Sequence, residues 1–278
     1  MKKRNAYLDN ASTTPLNKGV LAAMLPFFKE NYGNSSNIYE LGRKSRQAVG
    51  QATMSISKII GCRPSEFIYT GSATESDNLA LAGVARANKE NGRRIIISSL
   101  EHKGILAIGE ALKKEGFELV ELPVDKQGLV NLESLKTSLN KETILISVTM
   151  ADSETGTIQP IKEIGSIISA FRTDNAIKSG LPYFHSDASQ AAGHMDINVN
   201  KLGLDLLTLS AHKLGGPKGI GGLYVRNGLR INPIIYGGGQ QSRLRSGTEN
   251  VPAIVGFGKA FELMEKNKLK ERARQKKL

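Results

Sequence analysis

Residues 206–219 read LLTLSAHKLGGPKG, an apolar run that fits a buried strand, followed by a lysine and a glycine-rich turn. A lysine just beyond a buried strand lies where α/β sheets bind their ligands, at the carboxyl ends of the strands. Lysine followed by Gly-Gly-Pro is also a good solvated turn. The stretch therefore indicates a candidate site at Lys213 only if other strands and polar groups lie around it.

Other short apolar runs along the chain also have the composition of buried strands. The predicted strands are residues 67–70, 94–98, 143–148, 183–185, 206–209 and 221–225. Between them, apolar residues recur at the spacing of a helix over residues 75–90, 103–116 and 160–172. This alternation predicts an α/β fold with a mainly parallel sheet, flanked by helices on both faces.

The segment before residue 65 has a different pattern. Two helices are predicted at residues 16–31 and 41–60, joined by a polar turn. We interpret residues 1–15 as an N-terminal arm and residues 16–258 as one large domain. A last helix is predicted from about Ile254, and its residues 259–278 are interpreted as the start of a helix that leads away from that domain.

The composition narrows the classes of function. Of the 278 residues, 40% are hydrophobic, which is typical of a globular protein with one large core. The single cysteine, Cys62, excludes an internal disulfide, and neither it nor the four histidines have the spacing of a metal site. The sequence contains neither an apolar run of about 20 residues nor an apolar signal core, so we expect a cytoplasmic protein with no membrane segment and no structural metal.

The net charge of +12 is concentrated at the two ends of the chain. Nine of these charges come from Lys2, Lys3 and Arg4 and from residues 266–278. The body of the chain mixes both signs, as solvated surfaces do. Because no basic stripe with interleaved aromatic residues accompanies the charge, we expect no nucleic-acid partner.

Two further strand ends carry polar groups. Asp187 follows the predicted strand 183–185, where a carboxylate could pair with a protonated pyridine nitrogen. Residues 69–78, YTGSATESDN, run from a strand through a small-residue turn into a helix, and helix N-termini bind phosphate. The alternative is a simple N-cap at Ser72 or Thr74, with Glu75 and Asp77 complementing the helix dipole. A phosphate seat, an acid and a lysine on three strand ends are together the set that pyridoxal phosphate requires.

With these residues in place, the sequence resembles the cysteine desulfurases of the NifS/IscS type, within the class V aminotransferase group of fold-type I pyridoxal-phosphate enzymes. The resemblance covers essentially the whole chain in the correct order. The motifs that carry it are YLDNASTT (7–14), TGSATESDN (70–78), EHK (101–103), GTIQP (156–160), DASQ (187–190), SAHKLGGPKG (210–219) and RSGTEN (245–250).

The resemblance implies a role for each matching residue. Lys213 would hold the cofactor as a Schiff base and move protons on the substrate, and His102 would stack on the ring and assist as acid or base. Asp187 would pair with the ring nitrogen, and Gln190 and the residue at position 153 would contact the ring hydroxyl. The phosphate would be held by Ala73, Thr74, Ser210 and His212, joined by Thr248 of a neighbouring subunit, which implies a homodimer. The reaction implied converts L-cysteine to L-alanine and passes sulfur through an enzyme persulfide to acceptors in iron–sulfur cluster assembly or thiolation.

The sequence departs from this pattern in three places. Position 153 is serine where the family usually has asparagine, so that contact is expected to weaken or to become water-mediated. Cys62 matches no family nucleophile and is interpreted as a structural or incidental thiol. Family members also continue past the RSGTEN motif into a small C-terminal domain with the catalytic cysteine and a substrate-binding arginine, so the resemblance implies that this domain is missing and that an apolar surface is exposed in its place.

Two alternatives remain open from the sequence. One is another class V enzyme, such as a selenocysteine lyase or an aminotransferase-like enzyme, which needs no thiol. The other is an inactive scaffold that binds the cofactor or an iron–sulfur assembly protein.

Overall fold

The computed structural model describes residues 6–176 and 180–277. Residues 1–5 of the predicted N-terminal arm, with three of its basic side chains, lie outside the described residues, as does Leu278. The described part of the arm, residues 6–15, has no helix or strand and lies largely exposed on the rest of the chain.

Within the described residues, a single sheet of seven strands organises the fold, in the order β1-β7-β6-β5-β4-β2-β3. The strands are β1 Phe67–Thr70, β2 Arg94–Ser98, β3 Glu118–Leu122, β4 Thr143–Ser147, β5 Tyr183–Asp187, β6 Leu206–Ser210 and β7 Gly221–Val225. Only β7 runs antiparallel to its neighbours β1 and β6, and the other described pairs are parallel. The predicted α/β fold with a mainly parallel, mixed sheet is therefore confirmed.

All six predicted strands are present, but β3 was not predicted. Its sequence, ELVEL, carries two glutamates, and its residues are exposed or half-buried except Leu122. This strand lies at the edge of the sheet and, of the strands in the described part of the chain, pairs only with β2, so it has one solvated side. The prediction missed it because an edge strand does not need the continuous apolar run of a buried one.

The helices cover both faces of the sheet. They are α1 Lys18–Met24, α2 Pro26–Lys29, α3 Glu40–Ile60, α4 Ala73–Asn78, α5 Val84–Asn88, α6 Lys103–Lys114, α7 Leu132–Ser138, α8 Ile161–Asp174 and α9 Val251–Gln275. One apolar cluster joins α3, α8 and α9 to the sheet, and includes Ile56, Ile164 and Phe257. A second cluster includes Leu81 and Ile105 and lies under α5 and α6. The predicted two-sided helical cover is confirmed.

Three details of the helices differ from the sequence prediction. The predicted helix over residues 16–31 is wrong as one element, because Pro26 cannot donate a backbone hydrogen bond and begins the separate helix α2. Helix α7 was missed, since its seven residues bury only Leu135. The predicted helix over 75–90 is present, but a π-helical turn at Leu79–Gly83 joins α4 to α5.

Helix α9 begins at Val251, after Asn250 accepts a hydrogen bond from the backbone of Ala253. It is continuous through residues 258 and 259, where the predicted large domain was divided from the final segment, and that division stays a prediction. Its first half is buried against α1 and α3, and its second half is mostly exposed. No helix within residues 6–176 and 180–277 is long and apolar enough to cross a membrane.

Candidate functional site

Three chain segments meet at the carboxyl edge of the sheet. Strand β5 ends at Asp187 and β6 ends at Ser210, and the two are hydrogen-bonded neighbours. Helix α4 begins at Ala73, directly after the turn that follows β1, and packs against β6 and β7. The topology thus brings together the three strand ends that the sequence analysis selected separately.

Lys213 lies in the loop beyond β6, where the N-terminal segment crosses it. Its Nζ donates hydrogen bonds to the carbonyls of Ala11 and Ser12, the latter at 2.9 Å. Gln190 Nε2 donates to the same Ala11 carbonyl at 2.9 Å, so the predicted lysine and glutamine share one acceptor. Partial burial lowers the pKa of Lys213, and the nearby Asp187 charge opposes that shift. The amine is thereby closer to its nucleophilic, uncharged form than a solvated lysine.

Asp187 is buried at the carboxyl end of β5. Its Oδ1 accepts a hydrogen bond of 2.7 Å from the backbone N–H of Ser189. Burial raises the pKa of Asp187, while hydrogen bonding to Ser189 and the nearby His102 and Lys213 lower it. The carboxylate of Asp187, the imidazole of His102 and the amine of Lys213 are therefore close enough to influence one another's pKa.

His102 is the N-cap of α6. Its Nδ1 accepts a 3.0 Å hydrogen bond from the N–H of Gly104, so the neutral ring carries its proton on Nε2. A Cβ at Gly104 would lie 3.0 Å from His102 Nδ1 and 3.8 Å from the Thr74 methyl group. The start of α6 therefore lies beside the start of α4, and His102 is near the predicted phosphate seat.

The predicted phosphate seat is open at its backbone. Ser72 is the N-cap of α4 and accepts a hydrogen bond from Glu75, so the N-cap interpretation is correct for Ser72. The backbone N–H groups of Ala73 and Thr74 have no acceptor within residues 6–176 and 180–277. Glycine is required at position 221 on β7, because a Cβ there would lie 2.5 Å from the Ser72 carbonyl carbon.

Two further predicted phosphate ligands, Ser210 and His212, lie at and just beyond the end of β6. The Ser210 hydroxyl is buried and has no hydrogen-bond partner in the described part of the chain. His212 lies two residues further on, and its Nδ1 is 3.0 Å from the Thr13 hydroxyl. Burial and the charges of Lys213 and Lys218 lower the pKa of His212, which keeps its ring neutral.

Ser153 and Thr248 are not joined to Lys213 by any contact among the described residues. Ser153 is exposed in a turn where the neighbouring Asp152 carboxylate accepts hydrogen bonds from Glu154 and Thr155. Thr248 is also exposed, and its segment is tied to α4 by the ion pair of Arg245 with Glu75 at 2.9 Å. The roles assigned to these two residues stay predictions.

Two buried acids near Asp187 and the hydrogen-bonding role of one histidine were not predicted from the sequence. Asp77 is 1% exposed and does not complement a helix dipole at the surface; Glu101 and His185 are buried as well. Burial and the nearby Asp187 charge raise the pKa of Asp77 well above its ordinary value and that of Glu101 to about 8. A usable signal was the position of Asp77 just before the fully apolar turn 79–82, on the stripe of α4 that faces the sheet.

Metal ligands and the single cysteine were also considered as functional groups in the described part of the chain. Within residues 6–176 and 180–277, no three His, Cys, Asp or Glu side chains are grouped so that they could hold a metal ion. Cys62 is half-buried beyond the end of α3, and burial raises the pKa of its thiol to about 11. At neutral pH this thiol is protonated, so it is a poor nucleophile.

The fold and this group of side chains define an α/β protein built like the pyridoxal-phosphate enzymes. The family described as aminotransferase class-V matches residues 6–278, and the chain belongs to it. Curated relatives narrow this to the cysteine desulfurases. The chain is 48% identical to cysteine desulfurase IscS of Methanosarcina thermophila over 262 residues, covering 94% of this chain and 63% of that protein. It is 44% identical to cysteine desulfurase IscS 1 of Archaeoglobus fulgidus, covering 98% and 69%.

Solved structures agree with this assignment. A NifS-like protein superposes with a TM-score of 0.91 at 37% identity, over 96% of this chain and 71% of the other. SspA, whose structure is a complex with cysteine, superposes with a TM-score of 0.87 at 38% identity, over 93% and 72%. The resemblance stated from the motifs is therefore confirmed at the level of family and fold. The chain spans somewhat less than two thirds of the length of several of the curated relatives it matches.

Proposed function

We propose that this chain binds pyridoxal 5'-phosphate at Lys213 and takes part in cysteine desulfuration, the conversion of L-cysteine to L-alanine with transfer of the sulfur. The single observation that carries the proposal is the shared neighbourhood of Lys213, Gln190 and buried Asp187 at the end of the sheet. The relatives named as cysteine desulfurases support the reaction, and the SspA complex supports cysteine as the substrate.

The polar groups left without partners fit this cofactor. The buried Ser210 hydroxyl and the free N–H groups of Ala73 and Thr74 are the donors that a phosphate requires. Buried Asp187 has no ion pair among the described residues, which suits a site that receives a positively charged ring. We assign the phosphate to Ala73, Thr74, Ser210 and His212, with Thr248 supplied by the second subunit of a homodimer.

When bound, pyridoxal phosphate would supply an electron-accepting ring that eases loss of the substrate α-proton and cleavage of the carbon–sulfur bond. Lys213 would anchor the cofactor and carry the proton, because burial lowers the pKa of its amine and so makes the amine a better proton acceptor and donor in turn. Asp187 would hold a negative charge against the ring nitrogen, and Gln190 would contact the ring hydroxyl, a contact that Ser153 would share. His102 would stack on the ring and present its Nε2 proton to the substrate side.

The sulfur leaving the substrate requires a thiolate acceptor, and Cys62 is unsuited to this role because its thiol is protonated and half-buried. We infer that the acceptor is another thiol, which then passes sulfur to an iron–sulfur scaffold or a thiolation protein. The same observation favours a second candidate, a class-V activity that needs no enzyme thiol, such as a selenocysteine lyase.

Reconstitution with pyridoxal phosphate tests the proposal. We expect an absorption band of lysine-bound cofactor that disappears in Lys213→Ala, and persists in Lys218→Ala, a change five residues further along the same glycine-rich loop. Loaded protein given L-cysteine and a small thiol is expected to release alanine. A wild-type protein that takes up no cofactor contradicts the binding site, and release of alanine from selenocysteine but not from cysteine favours the second candidate.

A further inference from the structure

A hydrogen-bonded chain of buried side chains lies behind Asp187. The Ser147 hydroxyl is 2.9 Å from His185 Nδ1, and His185 Nε2 is 3.0 Å from the Thr208 hydroxyl. His185 Nε2 is also 3.7 Å from Asp77 Oδ1. The chain thus links β4, β5 and β6, and it lies beside the Asp77 carboxyl group of α4, which none of the proposed catalytic roles uses.

His185 cannot serve as a cation for Asp77. It is fully buried, and burial lowers its pKa to about 3, so the ring is neutral at physiological pH. A neutral imidazole has one N–H, which leaves two arrangements of the chain. If Nε2 donates to Thr208, the threonine hydroxyl can donate onward to an ionised Asp77. If Nδ1 donates to Ser147, Nε2 must accept from Thr208, and only a protonated Asp77 can donate to the threonine oxygen.

The groups facing Asp77 decide between these arrangements. Strand β5 contributes the Asp187 carboxylate as well as neutral His185, and the segment before α6 contributes Glu101. Strand β6 contributes the Thr208 hydroxyl, and Gly221 at the start of β7 packs on Ser72 and Ala73 where α4 begins. From β1, the Thr70 hydroxyl bonds Ser76. Within the described ranges, no lysine or arginine forms an ion pair with Asp77, and its Oδ1 has no hydrogen-bond partner.

We propose that Asp77 holds a proton, so that Asp187 is the ionised member of this buried pair and faces the cationic ring. The inference rests on the proposed cofactor site. Two carboxylates buried together do not both ionise without a cation, because each raises the cost of charging the other. Asp187 has the backbone N–H of Ser189 and the nearby amine of Lys213, whereas Asp77 has a neutral histidine and a threonine. The negative charge therefore belongs on Asp187.

Asp77→Asn tests the inference, because asparagine keeps the size and the donor of a protonated acid and removes the ionisable group. In the cofactor-free protein at neutral pH, we expect the infrared difference spectrum of wild type minus Asp77→Asn to contain the carbonyl band of a protonated carboxylic acid. The matched control is Asp174→Asn, which alters an exposed aspartate at the end of α8 and is expected to remove only a carboxylate band. A wild-type carboxylate band in place of the acid band for Asp77 overturns the inference.

Cofactor binding gives the second readout. We expect Asp77→Asn to bind pyridoxal phosphate with a Kd within about threefold of wild type, and Asp187→Asn to weaken binding by at least about tenfold, which is roughly 1.4 kcal/mol. If Asp77 were the ionised acid, Asp77→Asn would weaken binding as Asp187→Asn does, which contradicts the inference. Should the wild type bind no cofactor, the proposed function fails, while the infrared result still decides the proton on Asp77.

Discussion

Replacing Glu101 with glutamine tests the buried acids through the stability of the protein itself. Glu101 lies just before α6 with 7% of its surface exposed, and its Oε1 accepts a 2.7 Å hydrogen bond from the N–H of Thr149. Its Oε2 has no hydrogen-bond partner among the described residues. Glutamine keeps the oxygen that Thr149 needs and places a neutral amide where the protonated acid has its hydroxyl. The variant therefore differs from the wild type mainly in being unable to ionise.

The expected size follows from the pKa of Glu101, which burial raises from 4.5 to about 8. Because the folded-state pKa is raised, the stabilising contribution is complete below about pH 4.5 and is lost as the pH rises towards 8. Each pKa unit corresponds to about 1.4 kcal/mol. At pH 7 the unfolded glutamate is ionised and the folded one is mainly protonated, so the wild type has lost roughly 3 kcal/mol of unfolding free energy that Glu101→Gln retains.

Urea unfolding of the cofactor-free protein, followed by circular dichroism between pH 4.5 and 8, measures this difference. We expect the two proteins to have nearly equal free energies of unfolding at the acidic end and Glu101→Gln to be more stable at pH 7. Glu110→Gln is the control, since Glu110 is exposed on α6 and its ion pair with Lys113 contributes less than about 1 kcal/mol. A difference between wild type and Glu101→Gln that does not change with pH would refute the reasoning.

Three other predictions follow from packing and charge. Gly221→Ala is expected to cost about 1 to 3 kcal/mol of unfolding free energy, because the new methyl group displaces Ser72. The same change is expected to weaken binding of pyridoxal phosphate in a fluorescence titration. Gly228→Ala is the comparison for cofactor affinity, because a Cβ there meets no atom within 4 Å. Asp205→Ala is expected to cost about 3 kcal/mol or more in urea unfolding, because this buried carboxylate accepts hydrogen bonds from Arg172 and from the backbone of Phe184; a loss below about 1 kcal/mol would contradict this. Cys62→Ser is expected to leave alanine formation by the loaded protein unchanged, and a large loss would show that the thiol takes part.

Much of the fold could be predicted from the sequence, because buried strands carry their signal locally. Strands β1, β2 and β7 have the predicted bounds, and β4, β5 and β6 differ by one or two residues at one end. Edge strand β3 and the break at Pro26 were not predicted. Strand β3 was missed because one of its sides meets solvent, so it lacks a continuous apolar run. The break at Pro26 was missed because a single residue interrupts an otherwise helical pattern.

The candidate site was predictable only in part. Lys213, Asp187 and the start of α4 were found because each follows a recognisable strand. The proximity of Asp77 and Glu101 to Asp187 was not predicted, because these residues are far apart along the chain and only the sheet order brings them together. Their individual patterns, an acid on a helix and an acid beside a histidine, are ordinary for a protein surface.

The pairing of β1 with β7 has a consequence for how this chain acquires its site during synthesis. Among the described strands, β1 pairs only with β7, in the register Phe67 with Tyr224 through Thr70 with Gly221. During synthesis, about 150 more residues must therefore be added after β1 before β7, its partner strand, leaves the ribosome. Contacts so distant in sequence form slowly, and until then β1 presents an unpaired edge. Nascent chains that stop short of β7 are accordingly expected to need chaperones and to be unable to assemble the seat formed by Ser72 and Ala73.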